Sequence, residues 1–487
     1  MTEQLFFLKP KPGISLQAQI REMLVAAILD GHLAAGTALP SCRKMAKTLG
    51  VSRNTVVLVY ERLVVEGFLE SRERQGHFVK PSQDSALLRV DRAEGTSPRQ
   101  LDWRQRFREL PSAQQHLKKP EQWRQCRYPF IFGQLDPELF PVAEWRDCTR
   151  QATSSLLTRD WLGDSVDADD HMLVEQLRSR VLPRRGIRCS ADEILVTMGT
   201  QQSLYLLARL LAGPGITLGV ENPGYVDVRN IFELTGTRIK PLQVDAKGLV
   251  VDRQLSGCDY LFVTPSHQAP STVTLPLERR LALLERAEAE DLVIIEDDYE
   301  SEINFFGQPT PALKSLDESD RVIYVGSISK TLSPGLRIGY LVGPASLVRE
   351  ARALRRLILR HPPANNQRTL ALFLAGGYQD SLLRRLTQVY RQRYQCLSQA
   401  LAELVPEVRV SKTTGGSSLW LEGPEGLQAS RLQAQALNHS LFIEPGRPHF
   451  HGEQTPDHFF RLGYSAIPTE RIVPGVEILA DLLHRQA

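Results

Sequence analysis

After Tyr128 the chain alternates short apolar runs with amphipathic helical stretches, and this alternation constrains the fold more than any other feature. Strands that are apolar throughout need cover on both faces, so the pattern predicts a mainly parallel sheet wrapped by helices. One such run, Leu292-Val293-Ile294-Ile295, ends abruptly in Glu296-Asp297-Asp298-Tyr299. Carboxylates at the end of a buried strand are unfavourable unless they are paired or used. An aspartate there can pair with a protonated ring nitrogen, or such acids can hold Mg²⁺ together with phosphate. No third oxygen ligand stands nearby in the sequence, so the metal reading ranks lower and no metal is expected.

A second run, Arg321 to Val325, opens into Gly326-Ser327-Ile328-Ser329-Lys330-Thr331-Leu332-Ser333-Pro334-Gly335-Leu336-Arg337. A lysine at a strand's exit is either an ordinary surface residue or, held in a pocket, an amine able to form a Schiff base with an aldehyde cofactor. The neighbouring hydroxyls and Arg337 are what a cofactor phosphate needs. Two more stretches join this one. Gly199, Thr200 and Gln201 precede the apolar stretch Leu204–Leu211, and a helix N-terminus offers free N–H groups to an anion. Tyr225 follows the turn Asn222-Pro223-Gly224 and can stack on a planar ring or pack in the core. Sites of open α/β sheets lie at the carboxyl ends of strands, where all four stretches fall.

Composition narrows the rest. At 487 residues the chain is long enough for two or three domains. No apolar run is long enough to span a bilayer, and the start lacks a secretory pattern, so a cytoplasmic protein without a membrane role is expected. The six cysteines are scattered with no C-x-x-C pair, as for reduced thiols. Residues 1–80 carry 11 Lys and Arg against 7 Asp and Glu, whereas the whole chain is at +3. Positive charge is therefore concentrated at the N-terminal end, which raises nucleic acid as a partner for that part.

There, Ser15 caps an amphipathic helical stretch that Gly31 stops. Ser41 caps a second helix, Cys42 to Leu49, and Ser52 a third running to about Glu66. Two helices joined by Gly50-Val51-Ser52 make a helix-turn-helix, and Gly67–Ser71 with Gly76–Val79 make a two-stranded wing. The third helix opens with Ser52-Arg53-Asn54-Thr55, where a recognition helix reads DNA. Arg53 and Thr55 suit phosphates and Asn54 a base edge. From Lys80 to about Gln125 periodicity fades, which predicts a linker, helical in part around Leu101–Leu110.

Leu39-Pro40-Ser41-Cys42-Arg43, Leu49-Gly50-Val51-Ser52-Arg53-Asn54-Thr55-Val56 and Glu66-Gly67-Phe68-Leu69 resemble the winged-helix domain of GntR-type bacterial regulators. The resemblance implies DNA contacts from Arg43, Arg53 and Thr55, beside Ser52 and Asn54, and a minor-groove approach by Gln75 and Gly76. Residues 127–487 resemble the class I aminotransferases, the fold type I enzymes that use pyridoxal 5′-phosphate, on Ser327-Ile328-Ser329-Lys330 and Pro334-Gly335-Leu336-Arg337-Ile338-Gly339. What this implies is a Schiff base at Lys330 and a ring-nitrogen partner in Asp297. It further implies a ring-hydroxyl partner in Tyr299, stacking by Tyr225, and a phosphate held by Gly199, Thr200, Gln201, Ser327, Ser329 and Arg337. Arg461, within Phe460-Arg461-Leu462-Gly463-Tyr464, is implied to bind a substrate or effector carboxylate.

Thr264-Pro265-Ser266-His267-Gln268 stands where aminotransferases carry Asn-Pro-Thr-Gly, which places His267 and Gln268 at the cofactor and departs from the free-standing enzymes. The whole arrangement resembles the MocR family of transcription regulators. The expected architecture is a winged helix at 13–81, a linker at 82–126 and an α/β fold type I domain at 127–487 ending in a small α/β subdomain. The expected function is a homodimeric, operator-binding sensor of an amine, an amino acid or the cofactor itself. A working aminotransferase with an accessory DNA-binding domain is the alternative.

Overall fold

The computed structural model describes residues 6–8, 13–81, 101–306, 310–328 and 330–486. It divides into two compact units, Met1–Arg106 and Phe107–Ala487.

In the first unit, α1 (Leu16–Leu29), α2 (Cys42–Leu49) and α3 (Arg53–Val65) each begin behind a serine. The side chains of Ser15, Ser41 and Ser52 accept from the N–H groups of Ala18, Lys44 and Thr55 at 3.2, 3.3 and 3.1 Å. Each cap satisfies a donor that the helix leaves unbonded and stabilises by about 1 kcal/mol. Gly50 ends α2 in the left-handed region (φ 66°), a conformation that lets the chain turn at once into Ser52. Ile20, Leu24, Met45, Val56, Val59, Tyr60 and Leu63 meet in a small core. Antiparallel β1 (Leu69–Arg72) and β2 (Gly76–Val79) close it, with Leu69 opposite Val79 and Arg72 opposite Gly76.

The second unit carries the expected covered sheet. Its strands, after a short β3 (Tyr128–Pro129), are β4 (Ile194–Thr197), β5 (Thr217–Asn222), β6 (Arg238–Asp245), β7 (Gly248–Leu249), β8 (Tyr260–Val263), β9 (Val293–Asp298), β10 (Val322–Ser327) and β11 (Gly339–Val342). They lie in the order β4-β11-β10-β9-β8-β5-β6-β7. The inner pairs β10–β9, β9–β8, β8–β5 and β5–β6 are parallel. β11 runs antiparallel to both β10 and β4, so β4 points the same way as β10. The ends of β4, β5, β8, β9 and β10 therefore all open on one edge. A second sheet, in the order β12 (Arg409–Val410), β13 (Ser418–Glu422), β16 (Phe459–Gly463), β15 (Glu444–Pro445), forms the small subdomain with helices Ala429–Leu437 and Ile472–His484. The short β14 (Leu441–Phe442) pairs with β3.

The boundary of the larger unit differs from the sequence reading. Residues 107–126, expected in the linker, belong to the large unit, where short 3₁₀ turns form at Pro111–Ala113 and Glu121–Gln125. The Gln114 amide donates to Asn230 O at 3.0 Å, and the Asn230 amide donates to Gln115 O at 2.8 Å. Backbone carbonyls and polar side chains fix this segment, so it needs no apolar periodicity. Residues 82–100 of the expected linker lie outside the described residues.

Candidate functional site

Side chains alternate along a strand, so three consecutive acids cannot share one environment. At the end of β9 they do not. Glu296 accepts from the N–H groups of Leu313 and Lys314, both at 2.9 Å. Asp298 accepts from Arg185 Nε at 2.7 Å and from Tyr324 Oη at 2.8 Å. Burial would raise the Asp298 carboxyl, but Arg185 and these hydrogen bonds hold it below the usual range. Asp297, between them, lines a different space, and its Oδ1 is buried without a hydrogen-bond partner among the described residues. Burial pushes its pKa up to about 7, with Lys330 pulling the other way. Two of the acids brace the sheet, and the third faces the cavity.

That space is a cavity lined by Leu117, Phe132, Thr200, Tyr225, Asp297, Tyr299, Lys330 and Arg461, among others. Lys330 Nζ stands 4.3 Å from the Phe132 ring centre and 5.7 Å from that of Tyr299. Burial lowers its pKa, Glu300 and Asp297 oppose the shift, and Arg461 reinforces it. An amine so placed is easier to deprotonate than one in water, as a nucleophilic lysine needs.

At one end of the cavity, Gly199 caps the helix Thr200–Leu211 with φ 85°. The backbone conformation requires glycine, and a Cβ there would also push Arg337 Nη2, 2.9 Å away, from its place. Arg337, itself left-handed (φ 52°), donates to Met198 O at 3.1 Å. The first N–H groups of a helix have no partner within it, and here a guanidinium stands beside them. Thr200 reaches the cavity wall, whereas the Gln201 amide is engaged with Tyr225 Oη at 3.4 Å and with Asp227. Ser327 closes β10 opposite Gly339. Ser329 lies outside the described residues.

Tyr225 lines the cavity with its ring 6.4 Å from Phe262 and its hydroxyl on Asp227 at 3.2 Å. Arg461 is buried on the interior strand β16, with its Cζ 3.8 Å from the Phe132 ring centre. It already has an anionic partner, Glu444, through Nε at 2.8 Å and through Nη2. Burial opposes ionisation of Glu444, but Arg461 and His449 hold its carboxyl well below the usual range.

His267 and Gln268 depart from expectation, because neither lines the cavity. Gln268 donates to Pro223 O at 2.8 Å and Ala269 O at 2.9 Å, and accepts from Ser271 N and Oγ at 3.0 and 2.6 Å. Its amide is consumed in tying two loops together. His267 is buried beside Asp298 and Arg185, and burial drops its pKa to about 4, so it sits as a neutral ring behind the acid-bearing strand.

Sequence reading missed Phe132, Glu300, Glu444, Leu117 and Lys119. The last donates to Phe132 O at 2.8 Å from within the expected linker. Of these only Glu300, two residues beyond the run of acids and next to Tyr299, had a local signal to find it by.

In the first unit Arg43, Ser52, Arg53, Asn54, Gln75 and Gly76 are exposed and Thr55 is half-buried. Ser52 and Thr55 also join through their hydroxyls at 2.8 Å. Exposed groups therefore gather at the start of α3 and at the wing tip, while Val56, Val59 and Tyr60 on the same helix are buried.

Comparison with known proteins agrees with both halves. Residues 16–79 match the bacterial regulatory proteins of the gntR family, and residues 164–479 match aminotransferase class I and II. The chain is 41% identical over 478 residues to the HTH-type transcriptional regulator TauR of Rhodobacter capsulatus, covering 98% of each protein. It is 33% identical to the probable rhizopine catabolism regulatory protein MocR of Rhizobium meliloti, covering 96% of this chain and 93% of that one. The α-aminoadipate aminotransferase LysN of Thermus thermophilus, solved with N-(5′-phosphopyridoxyl)-L-leucine, superposes with a TM-score of 0.72 at 28% identity, over 79% of this chain and 99% of that one. Among the described residues no helix is long and apolar enough to cross a membrane. With a DNA-binding winged helix and a fold type I domain on one chain, and full-length relatives that share both, the chain belongs to the MocR-type transcription regulators.

Proposed function

We propose that the chain binds pyridoxal 5′-phosphate at Lys330 and, as a homodimer, couples an amine, an amino acid or the cofactor itself at that site to operator binding by the winged helix. The observation that carries this reading is the pairing of a deprotonation-prone lysine with a buried, unpartnered carboxylate oxygen on Asp297 in one cavity wall. When bound, the cofactor supplies an aldehyde that condenses with amines on an electron-withdrawing ring.

The protein's own groups supply the rest. Asp297 Oδ1 would accept a hydrogen bond from the protonated ring nitrogen. The N-terminus of Thr200–Leu211, Ser327 and Arg337 hold the phosphate by charge-assisted hydrogen bonds. Gly199 keeps Arg337 close by leaving room for it. Tyr225 stacks against the ring, and Tyr299 hydrogen-bonds to its hydroxyl. Arg461 is the candidate for an effector carboxylate, which has to share that guanidinium with Glu444.

At the other end of the chain, Arg43, Arg53 and Thr55 hold phosphates, Asn54 addresses a base, and Gln75 and Gly76 approach the minor groove. Two-fold symmetry pairs these heads with repeated half-sites. An effector shifts the protein between states by no more than its difference in affinity for them.

The test is to supply the cofactor to purified protein and follow its absorbance and the operator affinity while amines are titrated. The expected result is that both change over one concentration range. Operator affinity that ignores every change in absorbance sinks the sensor reading. Steady turnover of an amino donor and a keto acid, at roughly 1–10³ s⁻¹, favours the aminotransferase alternative.

A further inference from the structure

His449, to which the cofactor expectations give no part, joins two regions of the large unit at the cavity wall. It closes the 3₁₀ turn Arg447–His449, which follows β15 in the small subdomain, and it lines the cavity. Against it lies the turn Asn222-Pro223-Gly224-Tyr225, which leaves β5 of the large sheet. The two turns are bonded in both directions. Gly224 N donates to His449 O at 2.9 Å, and His449 Nδ1 stands 2.9 Å from Gly224 O. A carbonyl oxygen can only accept, so Nδ1 carries the hydrogen and the tautomer is set. His451 N adds a bond to Asn222 Oδ1 at 2.9 Å, and Arg229 Nη1 one to Phe450 O at 3.1 Å.

The rest of the imidazole is held as well. It is buried and meets Trp420 of β13 edge-on, with ring centres 5.7 Å apart and planes at 87°. Nε2 has no hydrogen-bond partner among the described residues, and Glu444 Oε1, 3.7 Å away, is already taken by Arg461. Burial lowers the pKa of His449, so at neutral pH the ring is uncharged and its one N–H is spent on Gly224. The turn that it grips has little room. A Cβ on Gly224 would collide with Glu221 O, and Gln268 holds Pro223 O at 2.8 Å. Gly224 O lies in the same rigid peptide plane as the nitrogen of Tyr225. Holding that oxygen therefore sets where Tyr225 begins. Its hydroxyl, on Asp227 at 3.2 Å, fixes the far end of a ring that lines the cavity.

We propose that His449 is a positioning residue for the cofactor: its Nδ1–H holds the Gly224–Tyr225 peptide and so sets the face that Tyr225 presents to the pyridine ring. This rests on the reading that the cavity takes pyridoxal 5′-phosphate and that Tyr225 stacks on it, and it deepens that reading. It makes the small subdomain, which also carries Arg461, part of the grip on the ring. A shift of that subdomain is passed to Tyr225 through one buried hydrogen bond.

The experiment uses the full chain supplied with pyridoxal 5′-phosphate. It reads the cofactor's affinity and its circular dichroism in the visible range, which reports how the bound ring is seated. His449→Phe keeps a ring beside Trp420 and removes the N–H. It should weaken cofactor binding about 3–10-fold, the scale of one hydrogen bond, and alter the dichroism. His449→Asn can place an amide N–H where Nδ1 stands and should restore most of both. Tyr225→Ala should show the larger loss, and adding His449→Phe to it should cost almost nothing more, because the histidine acts through the tyrosine. Parent-like affinity and dichroism in His449→Phe overturn the inference, whatever the variant's unfolding midpoint. So does a loss that adds in full to that of Tyr225→Ala, or a His449→Asn protein no better than His449→Phe. If His449→Phe does not fold, His449→Asn decides alone: values near the parent's support the role, and a loss approaching that of Tyr225→Ala overturns it. A parent protein that takes up no cofactor, or a Tyr225→Ala protein with the parent's spectrum and affinity, overturns the reading of the cavity itself, and this inference with it.

Discussion

The two ends of this chain place their working residues in opposite surroundings. Around α3 the candidate contacts Arg53 and Asn54 stand in solvent on a helix whose other face is core. In the cavity Asp297, Lys330 and Arg461 are surrounded by one another and by Phe132. A solvated side chain can be changed with little effect on folding, because nothing packs on it. A buried one acts on its neighbours whether or not a ligand is present. The difference predicts that the head residues behave as independent contacts and the cavity residues as a unit.

Several measurements would break or sharpen that contrast. The largest effect is expected from Lys330→Ala, which should abolish the absorbance of protein-bound pyridoxal 5′-phosphate; a variant with the parent's spectrum would remove Lys330 from the site. Asp297→Asn should act in two directions at once. Loss of a charge-assisted hydrogen bond should weaken cofactor retention by about 2 kcal/mol. The cofactor-free protein should meanwhile gain stability at pH 8. The carboxyl's folded pKa of about 7 lies above its unfolded value, so its contribution is most favourable at low pH and declines as pH rises through 7. Denaturant unfolding at pH 5 and pH 8 measures this, and equal stability of parent and variant at pH 8 would mean that Asp297 is not strained by burial.

Gly199→Ala should lower stability by about 1–3 kcal/mol, the penalty of an alanine in an extended positive-φ conformation that only glycine adopts freely, and loosen the cofactor as Arg337 is displaced. In the head, Arg53→Ala should weaken operator binding and reduce the slope of log affinity against log salt by about 0.9, with an unchanged unfolding midpoint. An Arg53→Ala protein that unfolds earlier would erase the contrast. Smallest of all, Ser52→Ala should remove the α3 cap and about 1 kcal/mol of stability.

Legibility in the sequence follows the same division. The three N-terminal helices were readable nearly to the residue, since their limits depend on Ser15, Ser41, Ser52 and Gly50, all local signals. The covered parallel sheet was readable from alternating apolar runs, and the edge on which its strands open followed from that. What could not be read depends on contacts between distant parts of the chain. Glu444 matters because β15 lies beside β16 and brings it to Arg461. Lys119 sits in a polar stretch without periodicity, and only bonds to distant residues, from Gln114 and Gln115 to Asn230 and from Lys119 to Phe132 O, show that the stretch packs on the large unit rather than acting as a tether. Gln268 misled in the opposite sense: its place in the chain pointed to the cofactor, but its amide holds loops together.

The end of β9 carries a consequence for how such a chain can change over time. Glu296 and Asp298 belong to one face of the strand and Asp297 to the other, so the count of residues from Val293 matters as much as their identities. Insertion or deletion of a single residue within Val293–Asp298 would exchange the faces. One move would unbrace Arg185 and Tyr324 and crowd the cavity with surplus carboxylates. Point changes here can be graded in their effects, whereas changes of length cannot, and this strand should tolerate substitutions in related chains far better than gaps.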